Sequence, residues 1–252
     1  MQFNDDDTDL KLLLSRATDE ELAPLLDAIL GKGRKGRISS ELDCDPIYQK
    51  YPTNPTKYWE KIGIEIQTYG GNSFMNFFRD TGVTYREIVK DVADRLKVNY
   101  HRDATTPVIE EYIFEKILTE AWSKMSDEAK ETLFKDAAEE GIKIPKDATS
   151  VAAIRTLLKM GGFKSYQLML IVANALWRPF YHPGLRLDGR PLGINAMLKE
   201  FLSDVLGPFE WGITDSWMLA DLAGPAYRVT IPVVFYITIL RRIQAERLGL
   251  EV

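Results

Sequence analysis

The stretch LAGPAYRVTIPVVFYITILRR, from Leu222 to Arg242, is the most apolar region of the chain and decides its fold. The segment from Val229 to Leu240 carries no charge and is apolar on every side of a helix. A helix that is apolar all round is either deeply buried or in lipid. The charge-free run is too short to span a bilayer, which takes roughly 20 residues. We therefore expect a central core helix, with a membrane-touching or partner-binding hairpin as the alternative.

Two residues of this stretch constrain the helix. Pro232 lacks an N–H group, so it would either kink the helix or lie in its first turn with Thr230 as N-cap. Arg228 would be costly in a core unless a carboxylate pairs with it, and Asp215 and Asp221 are the candidates. The β-branched residues also permit a buried strand, but the continuation RRIQAERL favours a helix.

The composition is that of an ordinary globular protein. The chain has 252 residues, 45% of them hydrophobic, which allows a sizeable core. A net charge of −5 argues against a general nucleic-acid binder. Cys44 is the single cysteine, which excludes an internal disulfide framework and fits a reducing compartment. The acidic start, MQFNDDDTD, is neither a secretory signal nor a transit peptide. We expect a cytoplasmic protein, with peripheral attachment to the inner membrane left open.

Helical periodicity and capping signals recur along the chain. Thr18 with Glu21, and Thr84 with Glu87, have capping-box spacing. Pro107 suits the first turn of a long helix. The pattern predicts an all-α fold of about ten to twelve helices around the apolar C-terminal helix. The predicted buried residues include Leu10, Leu13, Leu14, Leu22, Leu25, Leu26, Ile29, Leu30, Ile62, Ile66, Ile88, Val92, Ile109, Tyr112, Ile113 and Ile117.

Composition divides the chain into three predicted parts. Residues 1–40 form an N-terminal helical hairpin, 41–160 an amphipathic helical domain, and 161–252 an apolar helical region packed on it. The hairpin ends in the basic, glycine-rich loop GKGRKGR, residues 31–37. This loop is a candidate contact for phosphate or an acidic partner, although such runs are more often solvated linkers. Its charged residues are Lys32, Arg34, Lys35 and Arg37.

The chain offers few residues for catalysis or metal binding. His101 and His182 are its only histidines, and neither has a neighbour at metal-ligand spacing. The sequence contains no phosphate loop, dinucleotide fingerprint or serine-hydrolase motif. We therefore predict no cofactor and no metal, assign no catalytic residue, and lean against an enzyme.

Most carboxylates have the spacing of surface charge. We expect Glu110 with Glu111, Glu139 with Glu140, and the run Asp5–Asp7 on solvated faces or at helix starts. Asp215 and Asp221 differ because they lie among tryptophans and apolar residues, where carboxylates can have raised pKa values and transfer protons. The alternative is that Asp215 and Asp221 cap helices or pair with arginines. Together with Arg228 they form a candidate polar cluster.

Several patches resemble one family: AYRVTIP at 226–232 followed by LRR at 240–242, YGGNS at 69–73, YREIVKDVADRLK at 85–97 and WSKM at 122–125. They look like the YaaW family of uncharacterised bacterial proteins, over most of residues 8–140 and 207–243. The match is weakest at 178–206, where the family is rich in small residues. This chain has charged or polar residues there instead, namely His182, Arg186, Arg190, Lys199 and Glu200.

Members of that family are often labelled ubiquinol–cytochrome c chaperone-like. The resemblance implies a helical protein that holds other proteins, and it supplies no catalytic residues. We expect a non-enzymatic interaction, assembly or chaperone-like factor with an unidentified protein partner. The alternative is a membrane-acting effector that inserts residues 163–177 and 207–240. A cryptic hydrolase around Asp215 and Asp221 is the lowest-ranked reading.

Overall fold

The computed structural model describes residues 2–30, 41–70, 82–124 and 227–249, with positions 127, 131, 186–187 and 190–191. These residues contain seven α-helices: α1 (Thr8–Ser15), α2 (Asp19–Leu30), α3 (Pro46–Lys50), α4 (Trp59–Gly70), α5 (Tyr85–Arg95), α6 (Thr106–Lys124) and α7 (Tyr227–Arg247). Two 3₁₀ turns, Glu41–Cys44 and Pro55–Tyr58, precede α3 and α4. The same residues contain one antiparallel strand pair, Arg186–Leu187 with Arg190–Pro191, and a single β-bridge residue, Gln2.

The predicted helical class is therefore confirmed. Seven α-helices in the described residues do not establish the predicted total of ten to twelve. The proposed division into residues 1–40, 41–160 and 161–252 stays a prediction, because residues 31–40, before the first boundary, and 132–185, around the second, are not described.

The last helix of the chain, α7, lies at the centre of the described core. It packs against α2, α4, α5 and α6, and its residues from Val229 to Leu240 are buried on all sides. Phe235 of α7 stacks on Phe114 of α6 with ring centroids 4.7 Å apart. A helix without a polar face has no side to offer to water, so the surrounding helices supply its environment. The prediction of a buried central C-terminal helix is confirmed.

The start of α7 differs from one of the two predicted arrangements. The helix begins at Tyr227, so Thr230 is not its N-cap and Pro232 lies inside the helix. An internal proline donates no hydrogen bond to the preceding turn.

The two N-terminal helices, α1 and α2, form as their local signals predict. Thr18 and Glu21 make the capping box of α2: the Thr18 amide donates to the Glu21 carboxylate at 2.9 Å, and the Glu21 amide donates to Oγ1 of Thr18 at 3.3 Å. The predicted leucines and Ile29 are buried. The same kind of box, between Thr84 and Glu87, starts α5. One predicted core position is wrong, since Tyr112 of α6 is 44% exposed.

Gly82 lies where the chain enters α5 and crosses α4 closely. A Cβ atom at this position would lie 2.5 Å from the backbone carbon of Gln67. The Gly82 carbonyl accepts a hydrogen bond from the Asn4 side chain at 3.1 Å, and the Asn4 amide donates to Oε1 of Gln67 at 3.0 Å. The N-terminal segment is thereby fixed across α4.

Candidate functional site

The described residues place a cluster of polar side chains on the last two turns of α7. We call this set, Arg241, Arg242, Gln244 and Arg247, the C-terminal polar cluster. Its members contact α1, α2 and α6, which are far away in sequence. The apolar part of α7 fills the core, and its last turns join three other helices by hydrogen bonds and ion pairs.

Arg241 lies between carboxylates from two helices. Its Nε and Nη2 donate to Glu110 of α6 at 2.8 and 3.1 Å. Its Nη1 and Nη2 also donate to Asp9 of α1 at 2.9 and 2.7 Å. Glu110 is 1% exposed, whereas the Asp9 side chain is 48% exposed. The guanidinium group therefore neutralises a buried carboxylate on one side and reaches solvent through the other.

Burial and charge act on this group in opposite directions. Loss of hydration on burial raises the pKa of Glu110 above its usual range, and the hydrogen bonds from Arg241 only partly offset that rise. Burial opposes the charge of Arg241, but hydrogen bonds to Glu110 and Asp9 raise its pKa overall. Beside them, burial and the charge of Glu110 raise the pKa of the Tyr85 hydroxyl. The arrangement stabilises a positive charge at residue 241.

The neighbouring carboxylate is also paired, because both oxygens of Glu111 accept from Arg242, through Nε and Nη2. The expectation of a solvated face or a helix start is wrong for Glu110, which is buried, whereas the Glu111 side chain is 34% exposed. Glu110 lies on the buried side of α6 between Ile109 and Phe114, which are both fully buried. That position on the helical wheel was the signal that could have identified it.

A second buried carboxylate, Asp7, lies just before α1. Its Oδ2 accepts from Nε2 of Gln67 at 3.0 Å and from the amide of Tyr85 at 2.6 Å. The Tyr85 amide is the first of α5 and has no partner within its own helix, so Asp7 caps α5 from another segment. Burial raises the pKa of Asp7. Asp5 and Asp6 are exposed as expected, but Asp7 is buried.

The outward side of α6 has two exposed apolar residues one turn apart. Val108 is 41% exposed and Tyr112 is 44% exposed, whereas Ile109, Ile113 and Ile117 of the same helix are buried. Residues four apart lie on one side of a helix, so the two side chains form one small apolar surface. We call this pair the α6 surface.

The residues singled out from sequence fall mostly outside the described part of the chain. Asp215 and Asp221 lie there, and so does the basic loop with Lys32, Arg34, Lys35 and Arg37. Glu139 and Glu140 do too. Arg228 is in the first turn of α7, but its side chain is not among the described ones. The predicted cluster of Asp215, Asp221 and Arg228 and the basic loop of residues 31–37 therefore stay predictions.

Within residues 2–30, 41–70, 82–124 and 227–249, no group of histidine, cysteine, aspartate or glutamate side chains could hold a metal ion. None of the helices formed by these residues combines the length and apolar character needed to cross a bilayer. The membrane hypothesis needs segments 163–177 and 207–240, of which 163–177 and 207–226 lie outside the described residues.

The fold is helical, and in the described residues the ion pairs of Arg241 and Arg242 join α7 to α1 and α6. The chain belongs to the family described as ubiquinol–cytochrome C chaperone, whose family model matches residues 55–235. No solved structure matches the chain.

Curated bacterial relatives extend the similarity to almost the whole chain. A UPF0174 protein of Helicobacter pylori strain J99 is 39% identical over 236 residues, covering 93% of this chain and 91% of the relative. The UPF0174 protein YaaW of Escherichia coli K12 is 30% identical over 247 residues, covering 95% of each. The resemblance to the YaaW family is thus confirmed.

Proposed function

We propose that this chain is a non-enzymatic, chaperone-like protein that holds apolar segments of another protein during assembly. The family match over residues 55–235 supports this reading, since the family is described as a chaperone. The buried charged groups that the structure describes also support it. Glu110 and Arg241 are engaged with each other and with Asp9 rather than directed at a space for a substrate.

Val108 and Tyr112 are exposed on α6, and this exposure is why we place the partner's binding site on the α6 surface. Apolar side chains that lie together on the solvent side of a helix offer area for contact with another protein, although this pair is smaller than the patches of a few hundred Å² that mark interfaces by themselves. An apolar segment of an unfolded or unassembled protein fits this chemistry. The aromatic ring of Tyr112 adds contact area with little loss of side-chain freedom.

An aggregation assay tests the proposal. A heat-labile reporter enzyme is warmed with and without the chain, and light scattering records aggregation. We expect the intact chain to suppress scattering and the double variant Val108→Ser, Tyr112→Ser to suppress it less. Leu12→Ser with Ile47→Ser is the matched control, because these residues are also exposed but lie on α1 and α3.

Circular dichroism must show unchanged helicity in both double variants. Equal suppression by the α6 variant and the wild type would remove the α6 surface from the proposal. An intact chain that leaves scattering unchanged for every reporter enzyme would refute the holding function itself.

A further inference from the structure

The C-terminal polar cluster contacts α1 at three successive positions. Arg241 binds Asp9, Nε2 of Gln244 donates to the Leu13 carbonyl at 2.8 Å, and Nη2 of Arg247 donates to the Arg16 carbonyl at 2.7 Å. The sequence separations of these pairs are 232, 231 and 231 residues. A nearly constant separation means that α1 and the end of α7 run in the same direction, with these three side chains of α7 bridging the two.

Two of these contacts satisfy groups that the end of α1 leaves open. The last four carbonyls of a helix have no partner within it. The Leu12 carbonyl accepts a hydrogen bond from the Ser15 hydroxyl, and the Leu14 carbonyl accepts one from the Ala17 amide. The Leu13 carbonyl accepts a hydrogen bond from the Gln244 side chain. The C-terminal end of α1 is thus capped in part by side chains from the opposite end of the chain.

Arg247 extends the contact from α1 to α2. While Nη2 donates to the Arg16 carbonyl, Nη1 lies 3.1 Å from Oε1 of Glu21. Glu21 is the same residue whose other oxygen accepts from the Thr18 amide in the capping box of α2. One guanidinium group therefore joins the end of α1 to the start of α2.

The helix held in this way is short. With eight residues, α1 has about two turns, and isolated helices of that length are not stable in water. Its stability comes from packing of Leu10, Leu13 and Leu14 and from its polar contacts. Elements of this kind open before the rest of a domain does.

We propose that the C-terminal polar cluster is a strap that keeps α1 docked, so that Gln244 and Arg247 set how often α1 opens independently of the remaining core. Opening would uncover the apolar face formed by Leu10, Leu13 and Leu14. The strap is a conformational device built into the two ends of the chain, and it does not depend on the proposed chaperone function.

Amide hydrogen exchange of the full chain tests the strap. In the double variant Gln244→Leu, Arg247→Gln, we expect amides of α1 to exchange at least about tenfold faster and amides of α5 to change by less than about twofold. Leu248→Ala is the matched control, because this next residue is 52% exposed. It should leave both helices unchanged.

Equal acceleration in α1 and α5 would overturn the proposal, because it would mean that α1 opens only with the whole core. Unchanged exchange in α1 would overturn it too. If the double variant does not fold, Arg247→Lys keeps one positive charge near Glu21 but cannot donate to both partners with a planar fork. It should accelerate exchange in α1 alone, and no acceleration there would count against the strap.

Discussion

Replacement of Arg241 by methionine provides the most direct test of the buried ion pairs. The variant keeps most of the apolar stem but removes four hydrogen bonds, two to Glu110 and two to Asp9. Asp9 is 48% exposed, so water can replace what it loses and its share of the effect is under about 1 kcal/mol. Glu110 is 1% exposed, and an unpaired charge so deeply buried costs about 3–5 kcal/mol. We expect Arg241→Met to destabilise the protein by about that amount.

Urea unfolding followed by circular dichroism measures the change, provided that the slope m is the same in both proteins. A second variant separates the charge from the packing. Arg241→Met combined with Glu110→Leu removes both charges and leaves apolar side chains of similar size, which is often nearly neutral in buried pairs. The double variant should therefore be more stable than Arg241→Met by about 2 kcal/mol or more.

The dependence on pH adds a further check. Without its partner, Glu110 should take up a proton, so acidification should recover part of the stability that Arg241→Met loses. The reasoning is refuted if Arg241→Met lowers the free energy of unfolding by less than about 1 kcal/mol, or if the double variant is no more stable than the single one.

Three further predictions concern other contacts. Burial raises the pKa of Asp7 above its unfolded value, so its contribution to stability is greatest in acid and falls as pH rises through the folded pKa. Asp7→Asn should therefore flatten the plot of urea midpoint against pH over this range. An unchanged plot would contradict the raised pKa of Asp7. Gly82→Ala should destabilise the fold by about 1–3 kcal/mol, because its methyl group would meet the backbone of Gln67. A melting temperature equal to that of the wild type would show that the backbone can move apart here at little cost. Thr84→Ala removes the N-cap of α5 and should cost about 1 kcal/mol in urea unfolding, whereas Thr84→Ser should retain it, and equal losses in both variants would exclude the cap as the cause.

Features with short sequence range could be predicted from the residues alone. The capping boxes at Thr18 and Thr84 need partners only three positions away, and the structure contains both. The all-round apolar character of residues 229–240 required burial, and α7 is buried. These predictions succeed because the physical cause and its effect lie within one or two turns of helix.

The ion pairs could not be predicted in this way. Arg241 and Glu110 are separated by 131 residues, and nothing local indicates which arginine meets which carboxylate. The sequence did contain part of the answer, because Glu110 lies on the same side of α6 as Ile109 and Ile113. A carboxylate in an apolar stripe predicts a buried partner, but it does not identify that partner.

The long sequence separation between α7 and the helices that it contacts has a consequence for folding. The side-chain contacts of its last turns with α1 close a loop of more than 200 residues, whereas the capping contacts close only three. Loop-closure entropy grows slowly, by about 0.6 kcal/mol for each doubling of length, so the distant contacts are thermodynamically affordable. Their effect on rate is larger, because contacts between distant residues slow folding. Until α7 is in place, α2 lacks the central helix against which it packs, and Asp9 and Glu110 lack Arg241. The packing of α2 on the core and the ion pairs of Arg241 should therefore form only after α7 has joined the other helices.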